Sequence, residues 1–264
     1  MLICFVQIIL FSCCCIRRVI LKVEKIRSFV VEGNIGTGKS TLIEILKKNL
    51  NVDIVFEPIK KWQSIKGEQN LLDLFYKDID RWAYTFQSYA FVTRVLEQEE
   101  NFKKNVSGIQ VLERSVYSDR YCFAKNCFEL GKLTAMEWEL YKEWFKWLVE
   151  GYTKRPDGFI YLKTKPEVCY SRILKRNRQE ESAVPLDYIK LLHNKHENWL
   201  VEKIGVEEDN FISEVPVLSL ECNNDFENCE KEQERLVRNI ASFLGIDSSY
   251  NLQNSSKNID RPEL

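Results

Sequence analysis

A glycine-rich loop between a β-forming run and a helical run constrains the fold more than any other feature of the sequence. Residues 33–40 read GNIGTGKS and match the pattern GxxxxGKS/T in full. Glycines let successive backbone N–H groups point inward as an anion nest, at the positive end of the following helix. The β-forming run 27–32 precedes the loop, and the amphipathic run 39–49 follows it. The loop therefore predicts a site for a nucleoside triphosphate.

Within this loop, two side chains have predicted roles of their own. Lys39 would reach the β- and γ-phosphates, and the Ser40 hydroxyl would help to hold Mg²⁺. GTPases, motor ATPases and small-molecule kinases all use such a loop, so it does not by itself define the reaction. The predicted donor-binding residues of the loop are Gly33, Asn34, Ile35, Gly36, Thr37, Gly38, Lys39, Ser40 and Thr41.

Further short apolar runs, with long helical stretches between them, predict the fold class. Strands alternating with helices imply an α/β fold, with a five-stranded parallel sheet flanked by helices on both faces. The predicted helices include 39–49, 81–105 and 134–152. The predicted strands are 27–32, 52–58, 108–115, 157–163 and 215–220.

Length and composition indicate one globular domain. The chain has 264 residues, 45% of them hydrophobic and 29% charged, with a formal net charge of -1. No global basic field attracts nucleic acid or an anionic membrane, so we expect neither as a partner of the core. We predict a domain at 27–246, followed by a flexible tail at 247–264. Residues 1–26 form an apolar and then basic leader, and targeting, anchoring and an unstructured leader all remain open for it.

The end of the third predicted strand narrows the reaction. Glu113, Arg114 and Ser115 follow its apolar residues. An acid at the end of a strand beside the loop strand can hold Mg²⁺ directly or through water. An adjacent arginine could neutralise a phosphoryl group during transfer. No guanine-selecting NKxD element or strand-end acidic pair is apparent in the sequence, which favours a kinase over a GTPase or a motor ATPase.

Several motifs resemble the deoxynucleoside kinase family, which includes the deoxycytidine, deoxyguanosine and mitochondrial thymidine kinases. The nearest likeness is to deoxycytidine kinase, and the matching stretches run in order from about residue 28 to residue 244. They read EGNIGTGKST, FEPIKKW, RWAYTFQSYAFVTR, LERSVYSDRYCFA, RILKRNRQEESAVPLDYIKLLHNKHENWL and VPVLSLECNNDF. The resemblance implies a P-loop kinase fold with an arginine-rich lid. It also implies transfer of the γ-phosphate of ATP, with Mg²⁺, to the 5′-hydroxyl of a deoxynucleoside in nucleotide salvage.

The resemblance also assigns the catalytic residues. Glu57, at the end of a second strand expected beside the loop strand, matches the general base, and a carboxylate suits that task. Glu113 competes for this role, and we assign it to metal binding and electrostatics, with Arg114 on the phosphates and the 5′-oxygen. The predicted catalytic residues are Lys39, Glu57, Glu113 and Arg114, and the predicted metal ligands are Ser40 and Glu113.

The acceptor pocket is assigned partly from helical spacing. Gln87, Ala90 and Arg94 share one helix face, where Gln87 can pair with a base edge and Phe86 can stack on the base. By resemblance, Arg94 and Asp119 form a charged pair beside the base, a combination that favours deoxycytidine and purine deoxynucleosides over thymidine. The predicted substrate-binding residues are Glu57, Trp62, Tyr76, Phe86, Gln87, Ala90, Arg94, Arg114, Asp119, Phe123 and Glu181.

The remaining donor contacts are predicted for two later segments. A charge run such as 172–181 is usually a solvated helix face, but beside a triphosphate site it reads as a lid whose arginines stabilise phosphate charge. By resemblance, Glu181 and Tyr76 contact the 3′-hydroxyl, and a loop after the fifth strand cups the adenine. The predicted donor-binding residues here are Arg172, Arg176, Arg178, Asn224, Asp225 and Phe226.

Two other functions remain open at this point. A monophosphate kinase of the thymidylate kinase type shares the loop and lid but needs a further cation for the acceptor's phosphate. A regulator could bind the nucleotide without turnover. We expect a homodimer, which the aromatic stretch 136–152 could support, and a cytoplasmic location, with the mitochondrion as the alternative.

Overall fold

The computed structural model describes residues 26–182, 184–206 and 210–246, and its centre is a five-stranded sheet. Every neighbouring pair of strands runs parallel, in the order β2-β3-β1-β4-β5. This confirms the predicted α/β class. The strands are β1 (Arg27–Glu32), β2 (Asp53–Val55), β3 (Ile109–Glu113), β4 (Gly158–Lys163) and β5 (Val217–Glu221).

Helices connect the strands and cover both faces of the sheet. The first half contains α1 (Lys39–Asn49), α2 (Ile59–Gln63), α3 (Leu71–Lys77), α4 (Ile79–Lys104) and α5 (Val116–Ser118, continuing through the π-helical Asp119–Ala124 into Lys125–Glu129). The second half contains α6 (Ala135–Tyr152), α7 (Pro166–Arg176), the 3₁₀ turn Gln179–Glu181, α8 (Leu186–His196, continuing through the π-helical Glu197–Val201), α9 (Asn210–Glu214) and α10 (Glu230–Leu244).

The central strand β1 is buried on both faces because its side chains alternate between two cores. Val30 belongs to a cluster with Phe91 of α4 and Phe145 of α6. Phe29 and Val31 point to the other face, into a cluster with residues of α1 and α10. This alternation fixes which side of each strand faces which helix layer. Because helices cover both faces, the edge formed by the carboxyl ends of the strands stays accessible, and this is the edge where open α/β sheets bind ligands.

One predicted strand position is wrong. The second strand was expected beside the loop strand, but β2 pairs with β3, and β3 lies between β2 and β1. β2 is also shorter than predicted, since pairing ends at Val55 and Glu57 lies in the connection to α2. Glu57 therefore approaches the loop by extending past the end of β3. The fifth strand is shifted and runs over Val217–Glu221.

The predicted helices agree closely with the structure. The helix 39–49 has the predicted bounds, and the two long helices differ by one or two residues at their ends. Among the described residues, no helix has the length and apolar character needed to cross a membrane. The tail 247–264 and the leader 1–26, apart from residue 26, lie outside the described residues, so their boundaries stay predictions.

Candidate active site

The phosphate loop needs glycine at two positions for steric reasons. Gly36 and Gly38 have φ angles of 78° and 93°, in a region that other residues rarely adopt. A Cβ on Gly36 would lie 2.4 Å from the Cys169 carbonyl oxygen, and one on Gly38 would lie 2.6 Å from the Phe226 ring. The loop is therefore packed tightly between α7 and the segment after β5, which holds its backbone in one shape.

Lys39 lies at the start of α1 with its ammonium group turned back into the loop. Its Nζ donates to the carbonyl oxygens of Gly33, at 3.2 Å, and Asn34, at 2.7 Å. The Asn34 side chain donates in turn to the Ile189 carbonyl of α8 at 2.7 Å. Burial lowers the pKa of Lys39 to about 7. An arriving phosphate would supply the charge that favours the protonated amine.

The two predicted metal ligands lie in direct contact. Ser40 Oγ donates to Glu113 Oε1 at 2.6 Å, which joins the start of α1 to the end of β3. Mg²⁺ prefers oxygen ligands and usually takes only one or two protein carboxylates, with substrate phosphates and water completing its shell. A hydroxyl and a carboxylate beside a phosphate loop fit this ion.

A buried charge network joins the chemistry to the acceptor side. Arg94 of α4 donates through Nε to Asp119 Oδ2 at 2.8 Å and through Nη2 to Glu57 Oε1 at 3.0 Å. Arg114 Nε lies 3.4 Å from the same Glu57 oxygen. Burial alone would raise the pKa of Glu57, but the two guanidinium groups outweigh it and lower that pKa. Glu57 is therefore an anion near neutral pH, which a proton acceptor must be.

The base end of the site is formed by α4 and its neighbours. Gln87 is 1% exposed, and its Nε2 lies 3.8 Å from the Cys127 sulfur, a weak acceptor. One face of the Phe86 ring already stacks on Phe75, with centroids 4.6 Å apart. Trp62 donates from Nε1 to the Thr93 hydroxyl at 2.9 Å. These contacts hold the aromatic wall, and the Gln87 amide remains able to bind a stronger partner.

The arginine-rich segment divides into two parts with different contacts. Arg172 donates to the Thr37 carbonyl at 3.0 Å and the Asn224 carbonyl at 2.8 Å, so it ties the phosphate loop to the segment after β5. Arg176 and Arg178 both pair with the buried carboxylate of Glu181. Glu181, the residue expected to contact the 3′-hydroxyl, is therefore bonded to both arginines that are expected to bind phosphates.

One cavity of about 810 Å³ brings most of the predicted residues together. This size is typical of ligand sites. Gly33, Asn34, Thr37 and Asn224 lie outside its lining, and their contributions would come through backbone contacts or support. The predicted residues that line it are Ile35, Gly36, Gly38, Lys39, Ser40, Thr41, Glu57, Trp62, Tyr76, Phe86, Gln87, Ala90, Arg94, Glu113, Arg114, Asp119, Phe123, Arg172, Arg176, Arg178, Glu181, Asp225 and Phe226.

Comparison with known proteins decides the family. A family model described as deoxynucleoside kinase matches residues 29–245. A fowlpox virus protein named "Probable deoxycytidine kinase" is 44% identical over 221 residues, which cover 84% of this chain and 89% of that protein. Deoxycytidine kinase 2 of Gallus gallus is 40% identical over 242 residues, and the mitochondrial deoxyguanosine kinase of Xenopus laevis is 38% identical over 242 residues. Each of these two matches covers 84% of this chain and 91% of the relative.

The chain belongs to the deoxynucleoside kinase family. This confirms the resemblance inferred from the motifs and makes the chain a kinase that phosphorylates deoxynucleosides. The roles assigned to individual side chains stay predictions, although their positions in one cavity are compatible with those roles.

Sequence reasoning missed part of the lining of this deoxynucleoside kinase. Apolar and aromatic residues at helical spacing look the same whether they face a core or a cavity, so nothing in the sequence separated these from core positions. The charged and polar ones lie within segments already assigned to the lid and to the loop after β5. The lining residues that were missed are Ile59, Leu72, Phe75, Val168, Ser171, Lys175, Tyr188, Asn223 and Glu227.

Proposed function

We propose that the chain transfers the γ-phosphoryl group of ATP to the 5′-hydroxyl of deoxycytidine and purine deoxynucleosides in nucleotide salvage. A single observation carries this proposal. Glu57 and Arg114 lie in one cavity with the phosphate loop and with the Gln87–Arg94 face of α4. A nucleoside with its base on α4 would direct its 5′-hydroxyl toward the carboxylate and the loop.

In the proposed reaction, Glu57 orients the attacking hydroxyl and accepts its proton. Phosphoryl transfer passes through a loose transition state, so positioning and electrostatic stabilisation supply most of the catalysis. Lys39 and Arg114 would stabilise charge on the phosphoryl oxygens from the loop side and the acceptor side. The low pKa of Glu57 keeps its carboxylate ready at neutral pH.

We assign the magnesium site to Ser40 and Glu113. Their contact at 2.6 Å places two oxygen ligands side by side, next to the expected phosphates. A bound Mg²⁺ would neutralise phosphate charge and orient the terminal phosphoryl group. Asp225 and Phe226, which line the cavity beside the loop, would flank the adenine of ATP.

The base preference is inferred from the paired charges at the end of the pocket. Arg94 and Asp119 present a fixed guanidinium–carboxylate pair beside the small side chain of Ala90, which leaves space for an exocyclic group. Gln87 can both donate to and accept from a base edge. Deoxycytidine and purine deoxynucleosides fit this arrangement, and the names of the relatives agree with it.

The same pair argues against a nucleoside monophosphate as acceptor. An acceptor phosphate needs a cation of its own, whereas Arg94 is already bonded to two carboxylates. A purely regulatory role would not need Lys39, Glu57 and Arg114 around one cavity. The neutral 5′-hydroxyl of a nucleoside is therefore the favoured acceptor.

We also propose that the enzyme is a homodimer. α4 and α6 pack side by side through Phe91, whose ring lies 5.6 Å from that of Phe145. The outer faces of the two helices expose apolar side chains that a second copy of the chain could cover. Those side chains are Val92, Leu96, Leu140, Trp144 and Trp147. Light scattering of the purified chain measures its mass in solution and so tests this proposal. For the location of the enzyme we propose the cytoplasm, with the mitochondrion as the alternative.

Product formation by the purified chain tests the proposed reaction. The chain is given ATP and Mg²⁺ with deoxycytidine, deoxyadenosine, deoxyguanosine, thymidine, uridine or thymidine monophosphate, each offered separately. We expect monophosphates of deoxycytidine and the purine deoxynucleosides, with kcat reduced by roughly 10²- to 10⁴-fold in Glu57→Gln. Turnover of thymidine monophosphate alone would instead identify a monophosphate kinase. ATP binding without any product would leave the regulatory role.

A further inference from the structure

A buried carboxylate at the end of β1 has no part in the proposed reaction. Glu32 immediately precedes the phosphate loop, is 0% exposed and does not line the cavity. Its Oε1 accepts a hydrogen bond from Ser115 Oγ at 2.6 Å, and its Oε2 has no hydrogen-bond partner among the described residues. Burying a carboxylate oxygen without a partner costs free energy, so its presence calls for an explanation.

The hydroxyl that Glu32 binds belongs to Ser115, the residue that caps the start of α5. Ser115 Oγ accepts from the backbone N–H of Tyr117, at 3.2 Å, and of Ser118, at 3.4 Å, while it donates to Glu32. Because a hydroxyl has only one proton to donate, the bond to Glu32 directs the Ser115 lone pairs toward these N–H groups. Glu32 thus orients the cap of α5.

Arg114 lies between β3 and this cap in a strained backbone conformation. Its φ angle is 63°, a left-handed value that is uncommon for a residue other than glycine. Such a conformation persists only where the surroundings hold it. Here the Arg114 N–H donates to the Val31 carbonyl at 3.0 Å, and the next residue, Ser115, is bonded to Glu32. The last two residues of β1 therefore hold the backbone on both sides of Arg114.

The Arg114 side chain is also incompletely paired. Its guanidinium carbon lies 4.7 Å from the centre of the Phe123 ring, and its Nε lies 3.4 Å from Glu57 Oε1. Its Nη1 is buried and, within the described part of the chain, has no hydrogen-bond partner. Glu32 and Arg114 thus each hold one buried polar atom unpaired, and their opposite charges attract.

We propose that Glu32 is a positioning residue for Arg114, which it holds through the Ser115 hydroxyl and by its negative charge. The inference rests on the proposed role of Arg114 at the transferring phosphoryl group. Glu32 itself touches neither substrate, because it is enclosed behind the loop. Loss of the Glu32 charge should therefore lower kcat, because a displaced Arg114 stabilises the transition state less well, and should change the binding of ATP little.

The test compares Glu32→Gln in two backgrounds at pH 8, above the pKa of about 7 that burial gives this carboxyl, so that the wild-type side chain is charged. Glutamine keeps the shape and can still accept from Ser115, so this change removes mainly the charge. We expect kcat to fall roughly 10- to 100-fold while KM for ATP changes less than about twofold. In an Arg114→Ala background, the same change should alter kcat by less than about twofold, because the residue that it positions is gone. Equal losses in both backgrounds, or no loss in either, would overturn the proposal.

Unfolding as a function of pH separates positioning from a merely structural role. Burial raises the pKa of Glu32 from 4.5 to about 7, against the opposing charges of Arg114, Arg94 and Lys39 and the hydrogen bond from Ser115. Between these pH values the folded chain keeps a proton that the unfolded chain releases, so this group's contribution to stability is lost as pH rises. Glu32→Gln should therefore have a higher Tm than the wild type at pH 8, and the gain should shrink toward pH 5. A lower Tm at pH 8, in parallel with lost activity, would indicate structural support alone.

Two further variants complete the test. Ser115→Ala breaks the same link from its other end and should also lower kcat, which keeps the proposal testable if Glu32→Gln does not fold. Ser28→Ala is the matched control, since Ser28 is a fully buried residue of β1 whose hydroxyl likewise has no partner among the described residues. It should leave kcat unchanged. Turnover by the wild type tests the proposed function separately. An inactive wild type would overturn that function, whereas an active wild type with an unchanged kcat in Glu32→Gln would overturn only the positioning role of Glu32.

Discussion

Four of the arginines that line the cavity fall into two sets that are held in different ways. Arg94 and Arg114 lie at the bottom, with side chains only 5% and 4% exposed, and Arg94 bonds to carboxylates 37 and 25 residues away in sequence. Arg176 and Arg178 lie at the rim, 38% and 26% exposed, and share Glu181, which is five and three residues away. The first set joins separate elements, whereas the second is held within one short segment.

This difference implies different tasks. A buried ion pair between distant elements becomes costly when one partner is removed, so Arg94 supports the fold as well as the pocket. At the rim only the arginines are partly exposed, but they share Glu181, so the loss of one still leaves that carboxylate a partner and should cost little stability. We therefore propose that Arg176 and Arg178 form the lid set, which exchanges Glu181 for phosphate oxygens when ATP and the nucleoside bind.

The largest expected effect follows from Arg94→Met. This change leaves Asp119 and Glu57 buried without their shared cation, and we expect it to lower the free energy of unfolding by about 3–5 kcal/mol. Arg178→Met, the matched control at the rim, should lower it by less than about 1 kcal/mol. Urea unfolding of both variants gives the two values. Similar losses would show that the two sets do not differ as the burial of their side chains implies.

Arg178→Met, which should hardly change stability, should have a large effect on activity. Arg178→Met keeps the fold but removes one donor from the phosphates, and we expect kcat to fall by roughly 10²-fold. Steady-state kinetics with saturating deoxycytidine measures this, with Lys165→Met as a control of equal charge change, since Lys165 is exposed just before α7 and does not line the cavity. A kcat close to that of the wild type would exclude Arg178 from the lid set.

The bottom of the site was the easier part to predict from sequence. The phosphate loop has a pattern whose spacing follows from the chemistry of phosphate binding, and strand ends in a parallel sheet converge on one edge. Lys39, Ser40 and Glu113 could be placed from these rules alone. Glu57 was assigned to the site only through the family resemblance, and its strand was placed beside the wrong neighbour. Strand order depends on long-range packing that no local pattern records.

Other features could not have been found in the sequence. Glu32 reads as one more residue of a β-forming run, and its burial and its bond to Ser115 appear only once β1 and β3 are paired. The stretch that contains Arg176, Arg178 and Glu181 likewise looks in the sequence like an ordinary solvated charge run, and nothing there indicates that these residues pair. Burial distinguishes these cases, because Glu181 is 5% exposed. Charge patterns predict which residues could pair, but not which pairs are removed from water.

The smallest expected effect concerns the residue beside Glu181. One oxygen of Glu180 accepts from Gln63 of α2 and from Asn70 at the start of α3, both at 2.8 Å. These bonds tie the turn after α7 to the elements that carry Trp62 and Tyr76. Glu180→Gln keeps an oxygen that can accept both bonds but removes the charge that strengthens them, and we expect a loss of roughly 1 kcal/mol, or about a fivefold higher KM for deoxycytidine. Its kcat should stay near the wild-type value.

An exchange of the two side chains sharpens this prediction. Asn70→Asp keeps the oxygen that caps α3 by accepting from the Asp73 N–H at 2.9 Å, but it replaces the donor to Glu180 with a second carboxylate. KM for deoxycytidine should rise further than in Glu180→Gln, since the like charges repel. The double variant Asn70→Asp with Glu180→Gln restores one donor opposite one acceptor, and KM should return toward the wild-type value. If the double variant is no better than Asn70→Asp alone, the contact does not connect the rim to the acceptor pocket.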